Sequence, residues 1–189
     1  MTKPAPHFHL PVSGFFLCFW FYSFLGWAYE VFLEVVVYQW GYSDRGVLLG
    51  PYCPVYGVGA LLFLLVFYRL VRKKPMKQKL LLLPVIFLLC ALSATLVELV
   101  ASYLCEWISG SWPWQTYADY RYNFQARIAL SPSLRFGLGG VVFLYIIQPL
   151  LDKILTALPL KIRRALFALL AVVTGADILF TIAKTAGLI

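Results

Sequence analysis

Five stretches of this chain are too apolar, for too long, to be left in water. A bilayer's hydrocarbon core is about 30 Å thick, and a helix crosses it with about 20 apolar residues. Runs of that kind lie at about 13–38, 51–71, 80–105, 134–151 and 161–186. Only 13% of the residues are charged, against about a quarter in a soluble domain. The expectation is an all-α membrane protein: one bundle of about five transmembrane helices forming a single integral membrane domain over 1–189. An amphipathic, aromatic-rich connection at about 106–133 precedes the fourth helix. The first run continues to about Tyr38, beyond the length of a secretory h-region, and no small-x-small cleavage site follows it, so it reads as an uncleaved first span.

The positive charges give an orientation. Arg69, Arg72, Lys73, Lys74, Lys77 and Lys79 lie between the second and third runs, and Lys153, Lys161, Arg163 and Arg164 between the fourth and fifth. Both loops fall on one side of a five-span chain, which the positive-inside rule makes the cytoplasm. The N-terminus is then cytoplasmic and the C-terminus extracytoplasmic, in a multi-pass protein of the cell membrane. The net charge of +8 is confined to short loops, where it serves topology and contact with anionic headgroups. It argues for the lipid bilayer as partner and against nucleic acid.

Several chemistries lack their residues. Cys18, Cys53, Cys90 and Cys105 show no CxxC spacing, and His7 and His9 stand alone, so no metal or cofactor is expected. A Cys53–Cys105 disulfide is compatible with the topology. No GxxxxGK[ST] loop is present, so nucleotide hydrolysis would require a separate cytoplasmic ATPase.

The polar residues inside the runs are the candidates for function, because an ionisable group there costs about 2.5–3.5 kcal/mol on insertion scales. Glu30 and Glu34 share a face of the first run; Thr95, Glu98, Ser102 and Cys105 form a stripe on the third. Arg45 and Arg127 are on the same expected outer side. Two readings stand: Glu30–Arg45 and Glu98–Arg127 as buried pairs that fix packing, or the same groups lining an outward-facing pocket. In the fifth run Asp177 and Lys184 are two turns apart and suit packing. Trp112, Trp114, Tyr117, Tyr120 and Tyr122 read as an interfacial belt or as a stacking wall, and Gly137, Gly139 and Gly140 as sites of close helix approach.

The stretch "RGVLLGPYCPVYGVG" (45–59) opens the second run with glycines and prolines that oppose helix. In lipid such backbone must be buried in protein or line a cavity. Its amides, with Arg45 nearby, would suit an anion, and Tyr52 and Tyr56 are candidate binding residues. Gly46, Gly50, Pro51, Pro54, Gly57 and Gly59 would shape it.

Together with "SFLGWAYE" (23–30), Glu98 and "DYRYNFQARIAL" (119–130), this stretch resembles the signature of the putative ABC-transporter type IV family, over roughly Phe19 to Pro149. The resemblance implies that Glu30, Arg45, Gly46, Gly50, Pro51, Pro54, Tyr56, Gly57, Glu98, Asp119, Asn123 and Arg127 are motif positions; it implies no mechanism. The family pattern has tryptophan where this chain has Ala118 and glycine where it has Ala126. Three functions compete. The first is a transporter or permease-like protein binding an anionic or zwitterionic solute or lipid. The second is a non-catalytic scaffold or partner subunit, homo-oligomeric or with an ATPase. The third is an intramembrane lipid-modifying enzyme, for which no Ser-His or Cys-His arrangement is present.

Overall fold

The computed structural model describes residues 12–42, 48–112 and 114–185. Among the described residues, five helices are long and apolar enough to cross a membrane: Val12–Val37, Pro54–Val71, Met76–Trp107, Leu130–Ala157 and Leu160–Lys184. The chain is an all-α membrane protein, as the apolar runs require. The helix ends follow local chemistry. The second span starts at Pro54, three residues later than hydropathy indicates, because Gly50 to Cys53 run as bends and open loop. Proline suits a helix's first turn, where its missing N–H has no intrahelical partner to lose. The third helix runs to Ser109 and stops at Gly110, whose φ of 76° is left-handed and whose N–H closes back on Glu106 O at 2.8 Å. The fourth begins at Leu130 rather than 134, since Pro132 falls in the first turn.

The chain divides into two compact units: one runs to Leu62 and resumes at Leu151, the other is Phe63–Leu150. In the first, the opening and closing spans meet through Phe16 on Phe167, ring centres 5.0 Å apart, and through Trp20 Nε1 donating to Thr174 Oγ1 at 2.7 Å. In the second, the third and fourth spans pack closely along small residues. A Cβ on Gly140 would come within 2.5 Å of Cys90 Cβ, and one on Gly137 within 3.0 Å of Ala91 Cβ. Glycine is therefore demanded at two of the three positions; nothing lies within 4 Å of a Cβ on Gly139. Thr95 Oγ1 donates to Ser133 Oγ at 2.6 Å beside that contact.

The connection before the fourth span folds back on the third. It holds a 3-10 turn at Gln115–Asp119 and a short antiparallel hairpin, β1 (Asn123–Phe124) paired with β2 (Ile128–Ala129). Its turn places Gln125 and Ala126 at φ 53° and 55°, both left-handed, with Arg127 N–H on Phe124 O at 2.9 Å. That geometry usually takes Asn-Gly. Ala126 thus occupies the position where the family pattern has glycine. None of the four cysteines is in a disulfide, so Cys53 and Cys105 are not bonded to each other.

Candidate functional site

In the first unit the helix-breaking stretch does bind an anion, and the anion is the protein's own. Asp177, in the fifth span, accepts the N–H of Leu49 on Oδ1 and the N–H of Gly50 on Oδ2, each at 3.0 Å. Oδ2 also accepts the Tyr52 hydroxyl, and Thr181 Oγ1 approaches Oδ1 at 3.4 Å. Asp177 is therefore spent on holding the loop to the fifth span. The amides involved belong to the loop before the helix, not to its first turn.

Tyr52 is only 1% exposed, with its ring 4.3 Å from the Trp20 ring. Burial, then the hydrogen bond to Asp177 and that carboxylate's charge, push its phenol well above the ordinary tyrosine range. Cys53 N–H donates to Ser23 O at 2.9 Å, tying the loop to the first span. One turn on, Tyr56 donates its hydroxyl to Glu30 Oε1. Its ring lies flat on Gly26, where a Cβ would come within 2.2 Å. Gly57 faces Ser23 and Phe19 as closely, whereas a Cβ on Gly59 would meet nothing within 4 Å. Pro51 stays in the loop and Pro54 opens the helix. Arg45 and Gly46, and with them the expected Glu30–Arg45 pair, lie outside the described residues.

In the second unit the polar stripe of the third span is real but differently partnered. Glu98 does not meet Arg127. Its Oε1 accepts the Tyr117 hydroxyl at 2.7 Å, and its Oε2 is buried with no hydrogen-bond partner among the described residues. Arg127 is 6% exposed and bonds elsewhere: Nη2 to Glu106 Oε2 at 2.5 Å and Nη1 to Ser102 Oγ at 3.3 Å. Its guanidinium carbon lies 4.0 Å from the ring centres of both Tyr103 and Trp112. A planar cation between two aromatic faces is well suited to arginine and poorly to lysine. Trp112 and Trp114 in turn donate their indole N–H groups to Ala126 O and Arg127 O, at 3.0 and 2.8 Å. These tryptophans lock the hairpin.

Asn123 organises the same turn. Its Oδ1 accepts Ala126 N–H at 3.1 Å and its Nδ2 donates to Tyr120 O at 2.7 Å. Asp119 is exposed at the end of the 3-10 turn. The sequence reading missed Glu106 and Tyr117 as partners. It looked for arginines opposite membrane carboxylates, whereas Asp177, Glu30 and Glu98 each take a tyrosine hydroxyl. The one available signal was that Tyr52 and Tyr117 lie in segments next to the spans and Tyr56 in the first turn of the second span.

The motif residues thus converge on tying loops to spans, in the order in which the family signature runs. A family model described as Putative ABC-transporter type IV matches residues 17–182. The chain belongs to that family. The match reaches past Pro149 and takes in the whole fifth-span contact at Asp177, so the partner of the Gly-Pro loop lies inside the family's span. No curated protein and no solved structure matches the chain.

Proposed function

We propose that this member of the putative ABC-transporter type IV family is a transporter-like membrane protein with a polar site on the extracytoplasmic side. The site takes a small zwitterionic or anionic solute or lipid, with Glu98, Asp119, Asn123 and Arg127 of the second unit at or around it. The observation that carries this reading is Glu98. A carboxylate oxygen buried in a membrane span without a donor is costly. An ammonium or amide group of a bound solute would supply the donor. The basic loops at 69–79 and 153–164 lie on the cytoplasmic side in this reading, where a separate ATPase would dock.

The test uses purified full-length protein and three probes: phosphoethanolamine, a mixture of amino acids, and glycerol 3-phosphate. At least one should raise the unfolding temperature of the native chain by several degrees. Glu98→Gln should abolish that rise while keeping native helical content. An equal rise in Glu98→Gln removes Glu98 from the site.

A second reading has its own observation. Both Arg127 Nη groups are taken up by Glu106 and Ser102, and its guanidinium lies against Tyr103 and Trp112, which suits a non-catalytic scaffold or partner subunit whose charges fix its shape. On that reading none of the three probes stabilises the protein, and Arg127→Ala lowers the unfolding temperature while Glu98→Gln leaves it unchanged.

A further inference from the structure

In the first unit three donors converge on one carboxylate. Gly50, Pro51 and Tyr52 make a tight turn in which Tyr52 N–H donates to Gly50 O at 2.8 Å. Proline presets the φ that such a turn needs. The turn folds the Tyr52 ring over Gly50, where a Cβ would come within 2.0 Å of it, and Trp20 holds that ring from 4.3 Å away. The Leu49 and Gly50 amides and the Tyr52 hydroxyl therefore point to one place, and the Asp177 carboxylate fills it. Each of its oxygens takes one of the two consecutive amides, at 3.0 Å. All three donors are neutral. The cradle is open on one side: Leu49 is 57% exposed, and its bond to Asp177 is exposed with it. The fifth span has no buried residue in its most apolar stretch. Thr174, through Trp20, and Asp177, through the cradle, anchor it to this unit.

We propose that this cradle is a carboxylate-binding site with Asp177 as its built-in occupant, and that a small free monocarboxylate competes for it and releases the fifth span from the loop. Consecutive backbone amides that grip both oxygens of one carboxylate form an anion-binding concavity. A cradle shaped to a side-chain carboxylate fits a free one of the same shape. The donors select the class of ligand. Two amides and a phenol hydroxyl supply hydrogen bonds to a monoanion, but no positive charge to neutralise a phosphate dianion. Concentration sets the exchange. A tethered group competes at an effective concentration of about millimolar or above, so a free carboxylate displaces Asp177 only when it is abundant. The site responds to a plentiful solute and ignores a trace. Trp20 reads the outcome, because its ring lies on Tyr52 while its indole N–H is on Thr174 at 2.7 Å. The cradle uses none of Glu98, Asp119, Asn123 and Arg127, so it stands or falls apart from the proposed solute site.

The experiment is chemical rescue of the purified full chain. Asp177→Ala empties the cradle and leaves room for formate. Formate at about 50 mM should raise the unfolding temperature of Asp177→Ala by several degrees and slow hydrogen exchange at Leu49 and Gly50 towards the native rate. Chloride at equal ionic strength should do neither. Adding Tyr52→Phe should raise the formate concentration needed by about tenfold, since one donor to a charged group is lost. In the native chain formate should shift the tryptophan fluorescence saturably, at a concentration about tenfold above that which rescues the variant. Trp20→Phe should abolish the shift. This native titration decides the matter where Asp177→Ala does not fold. Absence of rescue by formate, or equal rescue by chloride, overturns the carboxylate site. Rescue of the variant without a Trp20-dependent shift in the native chain overturns the displacement and leaves Asp177 as a fixed strut.

Discussion

At Ala126 the chain carries a methyl group on a left-handed backbone, φ 55°, where a non-glycine residue costs about 1–2 kcal/mol. Ala126→Gly should relieve that cost, offset in part by the greater freedom of glycine in the unfolded chain. The expected outcome is a gain of up to about 1 kcal/mol, read as a higher unfolding temperature. Arg127 one residue on should behave in the opposite sense. Arg127→Ala removes a half-exposed ion pair and two aromatic contacts, for a loss of about 1–3 kcal/mol. Arg127→Lys should recover little of it, because an ammonium cannot lie flat between Tyr103 and Trp112 while bonding Glu106 and Ser102. A recovery of more than half by lysine would show that charge alone holds the hairpin. Of these features the glycine departure was legible in sequence, since the family pattern names the position. Its physical reason was not, because the sign of φ depends on the register of β1 on β2. The partner of Arg127 was misread for a related reason. Glu98 and Glu106 both lie on the third helix and within reach of the same hairpin, and spacing alone does not say which one the guanidinium meets.

The element that sequence described best is the loop before the second span. Its glycines and prolines forbid helix, and the demand that its amides be satisfied inside protein followed directly. The group that satisfies them was not legible. Asp177 is 125 residues from Tyr52, and no local pattern joins them. Asp177→Ala should leave the Leu49 and Gly50 amides and the Tyr52 hydroxyl without their acceptor. Hydrogen bonds to a charged group contribute about 1.5–3 kcal/mol each and are not additive, so a total loss of about 2–4 kcal/mol is expected. Asp177→Asn should recover part of it by keeping one acceptor oxygen. Hydrogen exchange at Leu49 and Gly50 should rise in both variants; unchanged exchange would mean that the carboxylate does not hold the loop. The same contact sets a pH response. Tyr52 holds its proton more tightly when folded than when unfolded. Its contribution is therefore fully present below the ordinary phenol range near about 10 and is lost as pH rises beyond it, when the unfolded phenol ionises first. Tyr52→Phe should flatten that part of the alkaline decline in stability.

For the whole molecule, the apolar runs dictated five spans because the bilayer leaves helix as the one way to satisfy so much backbone. Large apolar side chains stay exposed along them, Leu81 at 79%, Val172 at 70% and Leu179 at 70% among them, as hydrocarbon solvent allows. Orientation is a separate matter, set by lysine and arginine in the connecting loops rather than by packing. The proposed arrangement puts Lys74 and Lys161 on the cytoplasmic face and the hairpin at 123–129 on the opposite one. Single cysteines at Lys74, an exposed turn position, and at Tyr122, 62% exposed beside the hairpin, test it. They are best placed in a background with Cys105→Ser, because Cys18, Cys53 and Cys90 are buried while Cys105 is partly accessible. A membrane-impermeant maleimide added to intact cells should label the cysteine at 122 and spare the one at 74, with the pattern reversed in inside-out vesicles. The reverse result in intact cells would put the proposed solute site and the hairpin on the cytoplasmic side. The solute would then be met from within, and the basic loops would need a reason to lie outside that the positive-inside rule does not provide.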